Sequence, residues 1–306
     1  MNYVINTMIG ACLVCSLLFI SGCEESSIRI LKYDLPNIKP IRLIPKCILA
    51  SPAIAECSGI VRSKKWPGYY WMHNDSGDRP RLFLVDENGH TASFDSVNLD
   101  EGLPLESVSH IDWEEISYRG DNILIADVGN NENLRKDLIL YEIIEPSDLT
   151  QDITIKCKYP LLYTDQKWHW FAKKNYDCEA VFSYNANTYL ITKHRSDRLC
   201  TIYRFDELHC DSENYAIPYC RADLGDMVTA ADFNDDTKSL AVLTYQGIWV
   251  FDNFVGDDFF NGEVRWLPIQ ARQCEAICFG DSKTLIISNE QRDVFEVPVA
   301  DLIALN

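Results

Sequence analysis

Short hydrophobic runs bounded by polar turns recur along the chain, with the alternation typical of β-strands. One example begins at Asp112-Trp113-Glu114-Glu115-Ile116, passes a polar turn at residues 118–122 and continues into Ile123-Leu124-Ile125-Ala126-Asp127. The runs are rich in β-branched and aromatic residues, and helical periodicity is absent. The pattern predicts an all-β fold.

The same strand–turn–strand pattern occurs five times along the chain. Aligned on Ser58, Glu114, Glu179, Ala230 and Glu275, successive repeats lie 56, 65, 51 and 45 residues apart. A third hydrophobic run follows in every repeat, and a fourth, more polar strand is expected in the first four, as at residues 91–97, 153–159 and 263–268. Repeats of this length, each with several strands, predict a propeller or a solenoid.

The last repeat ends without room for a fourth strand, and the N-terminal tract, residues 26–51, offers one. Pro36, Pro40 and Pro45 exclude a helix there and favour an edge strand. Pairing of this tract with the last repeat would close a ring and cover two exposed sheet edges. The sequence therefore predicts a five-bladed β-propeller closed by an N-terminal strand, with a six-bladed propeller as the alternative.

The first residues have the features of an export signal. Residues 8–20 form an apolar run too short to span a membrane comfortably. The run ends in Ile20-Ser21-Gly22-Cys23, which resembles the lipobox of bacterial lipoproteins. That resemblance implies a signal peptide at residues 1–22, lipidation of Cys23 and a lipid anchor in the bacterial cell envelope, on the periplasmic face or outer membrane. Residues 1–7 lack the usual Lys or Arg, so a cytosolic protein with an apolar start is the alternative. Residues 23–306 are expected to form a single domain.

Charge and cysteine usage narrow the class of protein. The formal charge of −18 argues against nucleic acid as a partner, because phosphate binding needs a basic face. Of twelve cysteines, Cys12 and Cys15 fall in the leader and Cys23 at the lipidation site, which leaves nine, so at least one thiol is unpaired. No CxxC pair supports a zinc ribbon. A disulfide among residues 200, 210 and 220 would fit an exported protein.

In a propeller, the aligned positions would lie close together and could form a metal site. The first strand of each blade lines the central channel, so the aligned residues would surround its mouth. Carboxylates facing one axis repel each other and call for a cation, and oxygen ligands suit calcium better than zinc. The expected metal ligands are Ser58, Glu114, Glu179 and Glu275, with Thr229 or a water replacing the absent ligand at Ala230. Alternatively, these glutamates bond the backbone or arginines of the next blade.

The second-strand ends would lie on the same face and form a ligand-binding surface. Its expected residues are His73, Asn74, Asp75, Asp127, Asn130, Lys193, His194, Arg195, Asn289 and Glu290. Acidic residues that hold a metal, beside basic residues that hold an anion, would also suit attack of metal-bound water on a phosphate ester. No Gly-x-Ser-x-Gly nucleophile elbow is present. Residues 168–171, Trp-His-Trp-Phe, either stack on a ligand or pack between blades.

Several of these motifs occur together in one known family. Over residues 55 to 300 the chain resembles an uncharacterised family of exported bacterial β-propellers, of the WD40/YVTN-like kind. The motifs that carry the resemblance are Ser58-Gly59, residues 73–77, residues 112–116 with 127–131, Glu179-Ala180 and residues 229–232. The resemblance implies a propeller and export. The axial order Ser, Glu, Glu, x, Glu is also similar to the calcium-activated nucleotidase (apyrase) propellers, which are five-bladed with an axial calcium. This chain departs from them at Ala230.

Two hypotheses of function follow. In the first, a lipid-anchored propeller binds a ligand or a protein partner on its acidic face without chemistry. In the second, the chain is a calcium-dependent hydrolase of phosphorylated or lactone substrates. An essential metal with an open coordination position, beside a base, would distinguish the second from the first.

Overall fold

The computed structural model describes residues 28–94, 97–169 and 171–305, and these residues form an all-β structure without an α-helix. The all-β prediction is therefore confirmed. The predicted signal peptide, Cys23 and Trp170 lie outside the described residues. Two short 3₁₀ helices cover Phe259–Asn261 and Val299–Asp301. No helix in the described part is long and apolar enough to cross a membrane.

The strands divide into an N-terminal tract and five repeats. The N-terminal tract and first repeat contain β1 (Ile30–Lys32), β2 (Ile41–Arg42), β3 (Cys47–Ile48), β4 (Cys57–Arg62), β5 (Tyr69–Asn74), β6 (Arg81–Asp86), β7 (Ser93–Phe94), β8 (Val97–Asn98) and β9 (Leu103–Pro104). The second and third contain β10 (Trp113–Arg119), β11 (Asn122–Asp127), β12 (Ile139–Ile144), β13 (Ile155–Tyr163), β14 (Asp177–Tyr184), β15 (Asn187–Lys193), β16 (Cys200–Arg204) and β17 (Asn214–Asp223). The last two contain β18 (Val228–Asn234), β19 (Ser239–Thr244), β20 (Gly247–Asp252), β21 (Glu263–Gln270), β22 (Cys274–Asp281), β23 (Thr284–Asn289), β24 (Asp293–Pro298) and β25 (Ile303–Leu305).

Each repeat contributes one antiparallel unit, called a sheet here, and the fourth strand of the last unit is β3 of the N-terminal tract. Sheets 2 and 3 are joined by the pairing of β13 with β17, so that together they form one continuous sheet. Sheet 1 has the order β4-β5-β6-β9, sheet 2 β10-β11-β12-β13, sheet 3 β14-β15-β16-β17, sheet 4 β18-β19-β20-β21 and sheet 5 β22-β23-β24-β3. The first strand of each sheet, called the inner strand here, packs against the inner strands of two other sheets in the cyclic order β4, β10, β14, β18, β22 and back to β4. The five inner strands therefore surround a common centre, an arrangement compatible with a β-propeller.

Hydrophobic clusters fill the space between neighbouring sheets. Val61 of sheet 1 packs in one cluster with Ile116 of sheet 2, and further clusters join sheets 2 and 3, 3 and 4, and 4 and 5. A fifth cluster joins Ile60 of sheet 1 to Ala276 and Cys278 of sheet 5. The first and last repeats thus share a core, and burial of this apolar surface stabilises the cyclic arrangement.

Tight hairpins connect the inner strands to the second strands. Between β14 and β15 the turn residues Asn185 and Ala186 both have positive φ, 50° and 66°. Two such residues form the turn whose twist matches that of the flanking strands. The hairpin fixes the register of these strands, and with it the residues at their far ends.

The N-terminal tract runs along the outer edges of three sheets. β3 pairs antiparallel with β24 and takes the place of the fourth strand in sheet 5. β2 pairs parallel with β21, and β1 pairs parallel with β17. The C-terminal strand β25 adds to β21. The tract therefore covers edges of sheets 3, 4 and 5, which would otherwise present unpaired backbone groups.

The fourth strand of the first repeat differs from the prediction. Residues 91–97 were expected to form this strand. Thr91 does bridge Val85 of β6, but β7 and β8 then form a separate hairpin and β9 takes the edge. The physical reason is burial: Leu99, Leu103 and Leu105 enter the cluster between sheets 1 and 2. The leucine-rich segment therefore takes the edge of the sheet, while Phe94 and Val97 of the hairpin pack against the same cluster.

The disulfide also differs from the prediction. Cys210 pairs with Cys157 on β13, and not with Cys200 or Cys220. Cys200 and Cys220 are buried free thiols. The sequence placed these cysteines ten residues apart, whereas β13 and β17 of neighbouring sheets pair edge to edge and bring Cys157 to Cys210. A contact of this kind depends on sheet packing and is not visible in local spacing.

Candidate functional site

Each inner strand carries a β-bulge near its start. At the bulge the pairing with the second strand skips one residue, and the skipped residues are Ser58, Glu114, Glu179, Thr229 and Glu275. A bulge redirects a side chain and is common beside functional sites. Because the inner strands surround one centre, these five positions form a ring, called the bulge ring here.

The fourth member of the bulge ring corrects the sequence alignment. Ala230 pairs regularly with Leu243, and Thr229 is the skipped residue. Thr229 is 1% exposed, and its hydroxyl has no hydrogen-bond partner among the described residues. The ring therefore offers an oxygen at the position where the aligned sequence has a methyl group.

Carboxylates converge on one side of the ring. Oxygens of Glu114, Asp177 and Glu179 all lie within 4.8 Å of one another, and so do those of Asp75, Asp112 and Glu114. Glu114 belongs to both sets and joins them into one group. The five residues Asp75, Asp112, Glu114, Asp177 and Glu179 are called the acidic pocket here.

The backbone leaves room for this convergence at Gly129, just after β11. A Cβ atom there would lie 2.2 Å from Glu114 Oε1 and 2.3 Å from Asp112 Oδ2. Any side chain at residue 129 would therefore collide with two carboxylates of the acidic pocket. A larger residue here would displace these carboxylates from their present positions.

Glu114 is the least compensated group of the acidic pocket. Its side chain is 6% exposed. Among the described residues no donor reaches its carboxylate within hydrogen-bond distance, and no cation pairs with it. Burial, and then the charge of Glu179, raise the pKa of Glu114 well above its usual range. Burial and the neighbouring Asp75 likewise raise the pKa of Asp112 to about 6.

Two cations balance part of this charge. The Lys193 ammonium lies 2.7 Å from Glu179 Oε1, and the Arg195 guanidinium lies 2.7 Å from Asp177 Oδ2 and 3.9 Å from Glu179. Burial opposes the charge of Lys193, but the carboxylates of Glu179 and its neighbours raise the lysine pKa above its ordinary value. Lys193 also lies 5.2 Å from the centre of the Tyr245 ring. With two cations among more numerous carboxylates, a negative excess remains.

Glu275 and Glu290 lie at the rim of this group. Glu275 accepts hydrogen bonds from the Tyr245 hydroxyl at 3.2 Å and from the Gln273 amide at 3.0 Å. Gln273 also donates to Glu290 at 2.5 Å. Burial, followed by the charge of Glu275, raises the pKa of Glu290 to about 7. Glu275 is thus partly satisfied by protein donors, unlike Glu114.

Ser58 occupies the remaining position of the bulge ring. Its hydroxyl lies 3.3 Å from the carbonyl oxygens of both Trp113 and Glu114, to which it can donate. This contact ties the inner strand of sheet 1 to that of sheet 2. The hydroxyl oxygen keeps its acceptor capacity.

Several residues expected on the ligand-binding face instead form hydrogen bonds within the protein, at the ends of sheets 1 and 5. His73 is fully buried, donates from Nδ1 to the Asn74 carbonyl at 2.9 Å, and has a pKa lowered by burial to about 4. The Asn74 amide bonds the Ala53 carbonyl and Asp78. Asn289 similarly binds the Ala271 carbonyl and two amides of its own turn.

Three further residues expected on the ligand-binding face stabilise turns at the ends of sheets 2 and 3. Asp127 is fully buried, accepts the amide of Asp112 at 3.0 Å and pairs with Arg135 at 2.9 Å. Asn130 accepts the Arg135 amide at 2.9 Å. His194 is held by Asp197 at 2.8 Å. Of the residues expected on the ligand-binding face, the structure therefore places Asp75, Lys193, Arg195 and Glu290 at the site. The others form hydrogen bonds or ion pairs that hold the neighbouring turns in place.

Reasoning from the repeat pattern missed Asp112 and Asp177 as members of the site. Both lie two residues before a glutamate of the bulge ring, in Asp112-Trp113-Glu114 and Asp177-Cys178-Glu179. The equivalent residues of sheets 1 and 5 are Glu56 and Gln273. A shared polar residue at this repeat position was the signal that could have found them.

Trp168 and His169 lie near the same end of the fold, beside Lys174, whose carbonyl accepts the Arg195 amide. Lys136 lies 5.0 Å from the centre of the Trp168 ring. Trp168, His169 and Leu134 line a cavity of about 590 Å³. Phe171 is 90% exposed, so it does not pack between sheets.

Comparison with known proteins bears on the fold alone. No protein-family model matches the chain, and no curated protein matches its sequence. The chain is similar to the crystal structure of the major Malassezia sympodialis allergen Mala s 1, with a TM-score of 0.50 and 9% sequence identity, over 83% of this chain and 93% of that chain. At this identity the likeness concerns architecture and says nothing of ligands.

Proposed function

We propose that the chain is an exported, lipid-anchored five-bladed β-propeller that binds calcium in the acidic pocket and recognises a ligand or protein partner on that face. The blade number is supported by five sheets whose inner strands pack in a closed cyclic order. Closure by an N-terminal strand is supported by the pairing of β3 with β24. A sixth blade would need a further set of strands, and none exists among residues 28–94, 97–169 and 171–305.

The observation that carries the cation site is the state of Glu114. The oxygens of this buried carboxylate lie within 4.8 Å of those of Asp177 and Glu179 and of those of Asp75 and Asp112. It lacks a donor among the described residues. A buried carboxylate without a partner is costly unless it is protonated or binds a cation. A divalent cation would offset the repulsion within both sets at once.

The donor set favours calcium. Every group of the acidic pocket is a carboxylate, and the bulge ring adds hydroxyls at Ser58 and Thr229. Hard oxygen donors without histidine or thiolate suit calcium or magnesium, and calcium accepts the larger and less regular coordination shell. Cys178 lies beside Glu179, but its thiol is directed to the Ala180 carbonyl at 3.4 Å.

Binding without catalysis is favoured over hydrolysis, because the residues expected to act as bases are already engaged in contacts within the protein. His73 and His194 are buried and bonded to their own turns, and Lys193 is paired with Glu179. A calcium-dependent hydrolase would need a group free to move a proton beside the metal. Partner recognition on the acidic face needs only the surplus charge and the neighbouring exposed aromatic residues Trp168 and Phe171.

Export is supported by the apolar leader ending at Cys23 and by the disulfide between Cys157 and Cys210. Disulfides persist in oxidising compartments such as the bacterial periplasm and are rare in the cytosol. A lipid on Cys23 would then hold the domain at the membrane surface.

Calorimetric titration of the purified protein with calcium chloride tests the cation site, with magnesium chloride as the comparison ion. We expect calcium to bind and to raise the melting temperature, with a stabilisation of about 2.7 kcal/mol at a hundredfold excess over Kd. Glu114→Gln should abolish the calcium response and should raise the melting temperature in chelator, because it removes a buried carboxyl group whose ionised form has no partner.

Glu263→Gln is the matched control, since Glu263 is an exposed residue of β21. It should leave both calcium binding and stability unchanged. Absence of calcium binding in the parent protein, with no effect of chelator, would mean that the acidic pocket is held by protonation and would refute the cation site.

A further inference from the structure

A second cavity lies at the other end of the inner strands. It has a volume of about 500 Å³, within the range of small-molecule sites. Its lining includes late residues of all five inner strands, namely Val61, Arg62, Ser117, Tyr118, Phe182, Ser183, Asp232, Phe233, Asn234 and Phe279. The acidic pocket and bulge ring belong to the beginnings of the same strands. This distal cavity therefore opens on the opposite face of the molecule.

Glu115 lies on β10 between Glu114 of the acidic pocket and Ser117 of the distal cavity. Its side chain is 1% exposed and accepts the amide of Ala231 at 3.1 Å, as well as its neighbour's amide at 2.9 Å. Glu115 belongs to sheet 2 and Ala231 to sheet 4, which are not neighbours in the cyclic order. The bond thus crosses the centre of the molecule and joins the inner strands of sheets 2 and 4.

Two hydroxyls in the distal cavity lack partners. Ser117 is 3% exposed, and neither its Oγ nor the buried Oγ of Ser183 has a hydrogen-bond partner among the described residues. Buried hydroxyls are normally hydrogen-bonded, so both hydroxyls retain unused donor and acceptor capacity. Both serines lie on inner strands, in sheets 2 and 3, and both line this cavity.

The charged groups of the distal cavity are largely compensated. The Lys64 ammonium donates to the Gly120 carbonyl at 2.7 Å and lies 4.4 Å from the centre of the Tyr118 ring. Asp232 accepts the amide of Phe279 at 2.8 Å, and Asp235 pairs with Lys238 at 3.2 Å. Arg62 and Asp236 also line the cavity and have no ion-pair partner among the described residues, but their charges are opposite, so no charge of one sign dominates the lining. The cavity therefore does not select for a strongly charged ligand.

Aromatic rings supply the rest of the lining. Tyr118 and Phe233 are half-buried, and Phe279 is 6% exposed, so each presents part of a ring to the cavity. An uncharged ligand with apolar C–H surface and several hydroxyls would pack on these rings and bond the unpartnered serines.

We propose that the distal cavity binds a neutral saccharide, with Ser117 and Ser183 bonding its hydroxyls and Tyr118, Phe233 or Phe279 packing on its ring. The site is independent of the proposed cation site, because it lies at the other end of the inner strands and shares no residue with the acidic pocket. A polyhydroxylated ring meets both features of the cavity, its unpartnered hydroxyls and its aromatic surface.

Saturation-transfer NMR and calorimetry on the purified protein test this proposal. The probes are glucose, galactose, mannose and N-acetylglucosamine, with glucosamine and glucuronate as positively and negatively charged comparisons. We expect saturable binding of at least one neutral sugar, with the same affinity in calcium and in chelator. The double variant Ser117→Ala/Ser183→Ala should weaken binding by about fivefold for each hydroxyl removed, the effect of one neutral hydrogen bond.

Ser93→Ala, at an exposed serine on β7, is the control and should bind as the parent does. The double variant should fold, because it removes hydroxyls that make no hydrogen bond with the described residues. No saturable binding of any neutral sugar would overturn the proposal. Equal binding in the parent and the double variant, or binding of the charged probes alone, would overturn it as well.

Discussion

The ammonium of Lys193 lies 2.7 Å from a carboxylate oxygen of Glu179, and both side chains are only 3% exposed. The pair joins the far end of β15 to the bulge of β14 within one sheet. It compensates one carboxylate of the acidic pocket and leaves Glu114 without a partner among the described residues. The distribution of charge inside the site therefore depends on this single pair.

Lys193→Met should strongly destabilise the protein in chelator. Removing one partner of a buried ion pair leaves an uncompensated charge and costs about 3–5 kcal/mol. The variant should also show a larger calcium-induced stabilisation than the parent, because the pocket loses a positive charge. Urea denaturation with and without calcium measures both effects.

The matched control for this prediction is Lys32→Met. Lys32 lies 3.6 Å from Asp223 in an exposed pair, with the two side chains 71% and 37% exposed. Its loss should cost no more than about 1 kcal/mol. If Lys193→Met proved as mild as this control, the Glu179 carboxylate would have to be neutral in the folded protein.

Thr229→Val should separate a ligand role from a structural one. The Thr229 hydroxyl makes no hydrogen bond with a described residue, so its replacement by a methyl group should leave stability in chelator unchanged or slightly raised. Calcium affinity should fall severalfold if this hydroxyl, or a water bound to it, completes the coordination shell. Calorimetry measures the affinity, and an unchanged value would exclude Thr229 from the site.

Asp232 should make stability depend on pH. Burial raises its pKa from the ordinary 3.8 to about 7, so the folded state holds this proton more tightly than the unfolded state does. The stabilisation is complete below about pH 4 and is lost as pH rises through about 7.

Asp232→Asn cannot titrate and should show a shallower loss of stability across the same range. Denaturation at a series of pH values measures the slope. Asp152→Asn, at an exposed aspartate, should follow the parent protein. A slope unaltered by Asp232→Asn would show that other carboxyl groups account for the pH dependence.

Deletion of the N-terminal tract should destabilise the domain. A chain that starts at Ser51 lacks β1, β2 and β3 and exposes the edges of β17, β21 and β24. We expect a lower melting temperature and aggregation, because unpaired edges associate. A chain that starts at Ile28 retains all three strands and is the control. Equal melting temperatures and a monomeric state for both chains would contradict a closing role for the tract.

Cys23→Ser should release the protein from membranes. If Cys23 carries the lipid, the serine variant lacks an anchor and should appear in the soluble fraction after cell lysis. Fractionation with immunoblotting measures the distribution. Equal membrane recovery of variant and parent would refute the lipobox interpretation.

The sequence by itself determined the strands and the positions of the main acidic residues. Alternating β-branched and aromatic runs, separated by turn residues, are local signals, and they repeat at corresponding places in all five units. For this reason the repeat positions of Glu114, Glu179 and Glu275 were sufficient to place these glutamates near one another. The turn at Asn185 and Ala186 is local in the same way.

Only the tertiary structure decided which side chains meet. The bulges set where each side chain points, and a bulge depends on hydrogen bonds to the neighbouring strand, so a shift of one residue exchanged Ala230 for Thr229. Likewise, the inclusion of Asp177, the inward turn of His73 and the pairing of Cys157 with Cys210 come from contacts between segments distant in sequence. Such contacts form because neighbouring sheets bury their apolar faces together, and no local pattern in the chain records which residues that packing brings into contact.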